Sequence, residues 1–114
     1  MELQAKQLSP QIFSLKGWIE LVDPAGLQPL FNELLDQAEF LILNYNEHHF
    51  PLKGFTAFWL LAESHLALHT FADSGWCYIE LSSCNKEKTS LFYEGCNQLD
   101  YRIKWEKDME CYRI

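Results

Sequence analysis

The run GFTAFWLLAESHLALHTFADSGWCYIELSSC, from Gly54 to Cys84, is apolar and aromatic almost throughout. Any fold must bury most of it. Inside it lie Glu63-Ser64-His65 and then His69, with Cys84 at its end. Polar groups set in such a run need hydrogen-bond partners or a chemical task.

Two structures compete for this run. Thr56 to Phe71 holds many good helix formers, and a helix would set His65 and His69 on one face, as a metal pair would require. The punctuation argues for strands. Ala72-Asp73-Ser74-Gly75 is a turn signal, and Trp76 to Leu81 is rich in strand formers. Short apolar runs do not separate the two. The strand reading carries a register. A three-residue loop at Asp73-Ser74-Gly75, with Gly75 left-handed, sets Ala72 opposite Trp76, and pairing back in step sets Ser64 opposite Cys84. A turn at Glu63 pairs Phe55–Leu61 with Leu66–Ala72 and brings Thr56 beside His69. His69 then lies about 16 Å along the strand from Ser64. One chain holds two half-sites, which a symmetric dimer would join.

The rest of the chain reads as framing. Residues 1–10 are a polar lead. Ile12–Val22 reads as a strand and Asp23–Gly26 as a turn. A helix is expected from about Gln28 to Glu39, with Pro29 in its first turn and an apolar stripe of Leu30, Phe31, Leu34, Leu35 and Ala38. Phe40–Tyr45 reads as a second strand, with Asn46-Glu47-His48-His49 as a solvated loop. After the polar link 85–88, Thr89 or Ser90 caps a second helix. From Tyr101 the period drops to two, through Ile103 and Trp105 to Met109 and Cys111, as in a last strand or hairpin. The expected fold is α+β: a two-layer sandwich, a mainly antiparallel sheet with helices on one face, as a single domain over 1–114.

A net charge of −7 lacks the basic patch that nucleic-acid binding needs; it would attract a cationic ligand. No apolar run reaches the ~18 residues of a membrane span, and the opening MELQAKQLSPQ has no signal core. Cys77, Cys84, Cys96 and Cys111 lack CxxC spacing, so reduced thiols in the cytoplasm are expected.

The run resembles the bacterial S-adenosylmethionine decarboxylase family, small pyruvoyl enzymes of polyamine synthesis. The family pattern opens with Gly-hydrophobic-Ser/Thr, here Gly54-Phe55-Thr56. Glu-Ser-His follows, then His-Thr-Trp-Pro-Glu, then Thr-Cys-Gly after the next strand. By this resemblance the Ser64 hydroxyl attacks the carbonyl of Glu63, the ester eliminates, and hydrolysis leaves a pyruvoyl group on the fragment that began at Ser64. That group takes up the substrate amine and acts as electron sink for loss of carbon dioxide. The resemblance makes Cys84 the acid that returns a proton to the α-carbon, and His69 with Thr56 the processing pair. Phe50 would stack on an adenine, with His65 and Asp73 also toward the substrate. Trp-Pro-Glu is Phe71-Ala72-Asp73 here, one methylene shorter at the acid. Asn85 stands for the Gly, and the Gly-Arg-His opening is absent. The implied function is decarboxylation of S-adenosylmethionine for spermidine synthesis, by a homodimer. Two alternatives are the same cofactor acting on ornithine or arginine, and an unprocessed, non-catalytic relative.

Each residue also has a plain structural use. Ser64 can bond the backbone at a turn, His65 and His69 can be satisfied core histidines, and Cys84 a small buried hydrophobe. A metal hydrolase built on His65 and His69 lacks an evident third ligand.

Overall fold

The structure, a computed structural model, describes residues 11–106 and the backbone of 110–113. The readings made for residues 1–10, for Met109 and for the Cys111 side chain fall outside it.

Gly54–Cys84 forms strands, not a helix. β3 (Phe55–Leu61), β4 (Ser64–Phe71) and β5 (Trp76–Ser83) are an antiparallel meander. Burial alternates along it: Phe55, Ala57, Trp59 and Leu61 point one way, as do Leu66, Leu68 and Thr70, and Cys77, Ile79, Leu81 and Ser83. A helix would have buried every third or fourth residue and left half of these in water. His65 and His69 are therefore about 13 Å apart along β4, and the paired-ligand reading falls. No group of three or more metal-ligating side chains occurs among the described residues.

β1 (Gln11–Ile19) pairs antiparallel with β5 and closes the meander on its far side. It leaves the sheet at Ile19, three residues earlier than expected. β2 (Ile42–His49) is the opposite edge, against β3. It runs straight through Asn46–His49, the stretch expected to be a loop. An edge strand tolerates polar residues because one side is solvated, and alternation settles the two histidines. His48 and His49 point to opposite faces, His48 onto Phe50 (4.4 Å between ring centroids) and His49 onto Phe55 (4.8 Å). β6 (Ile103–Trp105) and β7 (Glu110–Arg113) pair with β1, near its end and near its start. They are two successive pieces along one edge rather than a hairpin. The strand order is β2-β3-β4-β5-β1-β6.

Both helices start earlier than expected. α1 spans Pro24–Gln37: the Asp23 carboxylate accepts from the Ala25 N–H (3.2 Å), and Pro24 takes the first position, where its missing N–H costs nothing. The stretch read as a turn is thus a cap and first turn, and Pro29 lies inside the helix. α2 spans Lys86–Asn97, and its cap is Asn85, whose side chain accepts from Lys88 N–H at 2.9 Å. Thr89, expected as a cap, is buried in the helix, its hydroxyl donating to Asn85 O (2.7 Å).

Leu27, Phe31, Leu34 and Leu35 of α1 and Phe92 and Cys96 of α2 pack onto one face of the sheet in a single apolar cluster. Trp59, fully buried, donates its indole N–H to Asn32 on α1 (2.7 Å). The expected two-layer α+β architecture is present. Among the described residues the other face of the sheet carries no helix, and Phe58, Leu60 and Phe71 are exposed on it. Among the described residues no helix is long and apolar enough to cross a membrane.

Candidate active site

The β4–β5 hairpin turns in four residues. Phe71 is paired with Trp76, Gly75 has φ 84°, and its N–H donates to Phe71 O at 3.0 Å. The extra loop residue moves the register by one, so Ser64 lies opposite Ser83, not Cys84. The whole of Ala72-Asp73-Ser74-Gly75 was the turn signal, and reading all four as loop would have given this pairing. The Ser64 hydroxyl donates to Ser83 Oγ (3.0 Å), and Ser83 Oγ accepts from Asn85 N–H (2.9 Å). Ser83 is buried, so its hydroxyl is held in one place.

Ser64 opens β4 after a tight turn at Ala62-Glu63, with Leu61 paired to Ser64. Glu63 has φ 63°. A non-glycine residue in the left-handed region costs roughly 1 kcal/mol or more. Glu39 and Lys53 share this conformation; Glu63 alone of the three precedes a hydroxyl residue. A cavity of about 300 Å³ opens here, lined by Phe40, Ala62, Glu63, Ser64, Cys84, Asn85 and Lys88. Cys84 thus joins Ser64 through the cavity, one residue past the end of β5, rather than by strand pairing.

The second group lies at the other end of the sheet and on its helix-free face. Thr56 is directly opposite His69, and Thr56 Oγ1 is 3.0 Å from His69 Nδ1. The two were expected to be neighbours, but the register differs: the tight Ala62-Glu63 turn pairs Leu61 with Ser64 rather than with Leu66, a shift of two residues that makes the neighbours a direct pair. The His69 ring stacks on Tyr78 (6.4 Å, 20°) and Tyr78 meets Trp18 (5.1 Å), so Thr56, His69, Tyr78 and Trp18 form a row across four strands. A cavity of about 470 Å³ at this end is lined by Trp18, Lys53, Phe71 and Asp73 among others. Phe50 is half-exposed in the β2–β3 turn at the same end, its N–H donating to Gly54 O (2.7 Å). His65 is on the helix-free face at the Ser64 end, stacked on Phe58 (5.5 Å, 25°).

The sites sort into two groups: Glu63, Ser64 and Cys84 at one end, Thr56, His69, Phe50 and Asp73 at the other. Ser64 and His69 are five residues apart on one strand, so they point to opposite faces. His69 does not reach Ser64 within one chain. Sequence reasoning gave no site role to Lys88, Tyr78 and Trp18, and read Ser83 and Asn85 only as the residues standing for the Thr and Gly beside Cys84 in the family pattern. The register shows that Ser83 meets Ser64.

The S-adenosylmethionine decarboxylase family profile matches residues 18–99. This chain belongs to the S-adenosylmethionine decarboxylase family. Among curated relatives of that family, it is 32% identical to the S-adenosylmethionine decarboxylase proenzyme of Prochlorococcus marinus (strain MIT 9313) over 60% of this chain and 54% of that protein. It is 32% identical to the proenzyme of Synechococcus sp. (strain WH7803) over 75% and 65%. The matched part therefore spans between half and two-thirds of those relatives' length. The crystal structure of the adenosylmethionine decarboxylase from Aquifex aeolicus VF5 superposes with a TM-score of 0.70, covering 91% of this chain and 89% of that one at 19% identity. That likeness is one of fold.

Thiol chemistry separates the cysteines of this family member. Burial pushes the Cys77 and Cys96 thiols up to about 12, whereas Cys84 is exposed at the cavity. The thiolate is the reacting form. In the native protein at pH 8, iodoacetamide should therefore label Cys84 and spare Cys77 and Cys96, as read by peptide mapping. Equal labelling of all three would contradict the packing described.

Proposed function

We propose that this chain is a self-processing, pyruvoyl-dependent S-adenosylmethionine decarboxylase that works as a homodimer in the cytoplasm. One observation carries the reading: the Ser64 hydroxyl, held by buried Ser83, follows a left-handed Glu63 at the mouth of a cavity that also holds Cys84. These residues fit a pyruvoyl group made from Ser64, since the cavity beside the hydroxyl leaves room for the side chain to rearrange. Once formed, that group supplies an electron sink for loss of carbon dioxide from a bound amino acid.

The chain's own residues do the rest. Strain at Glu63 raises the energy of the bond to be broken. Ser83 orients the attacking hydroxyl by accepting its hydrogen bond, and the hydroxyl proton ends on the leaving nitrogen. The Cys84 thiol, facing the same cavity, protonates the product carbon. His69, hydrogen-bonded to Thr56, takes a proton during ester breakdown. Since it faces away from Ser64 in its own chain, it serves the Ser64 of a second copy. The helix-free face suits such a copy. Phe58, Leu60 and Phe71 need cover there, and an antiparallel, two-fold pairing sets the Thr56–His69 end of each chain against the Ala62-Glu63 turn of the other, at the sheet's end, where the backbone bond to Ser64 lies beyond the strand pairing that separates the two faces. Phe50, His65 and Asp73 then border the substrate with Trp18 and Phe71. A sulfonium gains from such aromatic faces and from a net charge of −7. Cys77, Cys84 and Cys96 are unpaired thiols, in keeping with a reducing compartment.

Denaturing mass spectrometry tests the reading. The purified protein should give two fragments divided before Ser64, one water gained and one ammonia lost in total, with the second fragment labelled by phenylhydrazine. A chain that stays whole on long incubation would leave only an unprocessed relative. The shorter acid at Asp73 favours a second reading, a basic amino acid as substrate. Carbon dioxide release from S-adenosylmethionine, ornithine or arginine separates the two.

The shared site has its own test. Ser64→Ala and His69→Ala chains, each inactive in its homodimer, should together form mixed dimers with one intact site. Some decarboxylase activity should return on mixing unfolded chains and refolding them. No recovery would place each site within a single chain.

A further inference from the structure

Lys88 lines the cavity beside Glu63, Ser64 and Cys84, and the proposed chemistry leaves it unused. It sits in the first turn of α2, where the helix end disfavours a cation. Its side chain is partly buried, with Nζ 6.0 Å from the centre of the Phe40 ring. Among the described residues no carboxylate is within ion-pair distance of it; the ion pairs present are His49–Glu47 and Arg102–Glu20. A lysine at the unfavourable end of a helix, turned into a cavity over an aromatic ring and lacking a carboxylate, is placed for an anion that the intact chain does not yet have.

We propose that Lys88 holds the α-carboxylate that self-cleavage leaves on Glu63. The inference rests on the self-processing proposed above. In that reaction Ser64 Oγ bonds to the Glu63 carbonyl carbon, the C–N bond breaks, and the proton from the hydroxyl passes to the nitrogen. Elimination then removes the Ser64 Cα proton and breaks the Cβ–Oγ bond, the electron pair leaving on oxygen. Oγ departs with Glu63, so a neutral amide becomes a carboxylate. Water then displaces ammonia from the other fragment. The new charge arises at a residue whose side chain is already a carboxylate, in a cavity whose cation is Lys88. Lys88 offsets that repulsion and keeps the freed end of the β3 fragment docked beside β4, on which the shape of the cavity depends.

The test compares Lys88→Gln in two proteins, the processed wild type and uncleaved Ser64→Ala. In the processed protein the melting temperature should fall by about 4 °C or more. In Ser64→Ala it should hardly move, because the carboxylate does not exist there. Lys88→Arg should restore the processed protein. Carbon-13 NMR of the new Glu63 α-carboxyl should show its titration moving to higher pH in Lys88→Gln. Equal melting losses in both proteins would overturn the proposal and make Lys88 a packing residue. An unchanged melting temperature with a raised KM would overturn it in favour of the substrate's carboxylate. A wild type that never cleaves would sink the self-processing reading, and this proposal with it.

Discussion

Replacing Ser64 by alanine should abolish chain cleavage and leave a folded, full-length protein without ketone. The oxygen that attacks Glu63 is the hydroxyl that donates to Ser83 (3.0 Å), and no other side chain is set on the carboxyl side of the strained residue. The fold should tolerate the change. Ser64 is partly exposed at a strand end, its backbone pairings with Leu61 and Ser83 need no side chain, and Ser83 keeps its bond from Asn85 N–H. The stability cost should be no more than about 1 kcal/mol, the usual net worth of one hydrogen bond. Denaturing electrophoresis, borohydride trapping and a thermal melt together read all three expectations. A Ser64→Ala chain that still divides before residue 64 would refute the pyruvoyl assignment outright. Ser83→Ala probes the same contact from the other side and should slow cleavage without stopping it, since it removes orientation and not the nucleophile.

Cys84→Ala should give the second large effect, and at a different step. The variant should still be cleaved, because the nucleophile, the strained Glu63 and the Ser83 contact are all intact. Its turnover should fall by about 10²–10⁴-fold, the usual contribution of a positioned acid. Misplaced protonation would also let the variant consume its own ketone by transamination, so activity should decay with each turnover. Single-turnover carbon dioxide release, followed by mass spectrometry of the fragment beginning at residue 64, separates the two losses. Full and lasting turnover would remove Cys84 as the proton donor and turn attention to Ser64's other cavity neighbours. The exposure of Cys84 also makes iodoacetamide an independent probe. Alkylation should inactivate the wild type, while Cys77 and Cys96, with thiols raised to about 12 by burial, should stay unmodified.

Local chemistry made much of this protein legible before any coordinates. Alternation along Phe55–Leu61 and Trp76–Leu81, the Gly75 turn and the apolar stripe of α1 are read over a few residues, and those residues answer to their own backbone. From them came the order of elements, the α+β layers and the nearness of Thr56 to His69, though their direct pairing rests on a turn two residues tighter than expected. Motif spacing over Gly54–Cys84 pointed to the family. Other features depended on distant partners. Residues 56–71 suit a helix or a strand, and the choice fell to the neighbouring strands that pair with them and the helix layer that buries Trp59 and Leu66. Asn46–His49 looked like a loop until β3 paired with it. The Ser64–Ser83 contact turned on one loop residue between Phe71 and Trp76, because a strand has a period of two and a single-residue slip changes every partner. Lys88 entered the cavity only because Asn85 capped α2 there. Sequence alone thus determined which residues could do chemistry and how far apart they lie along the chain. Tertiary structure alone decided which of them face one another, since that depends on register and on packing between segments remote in sequence.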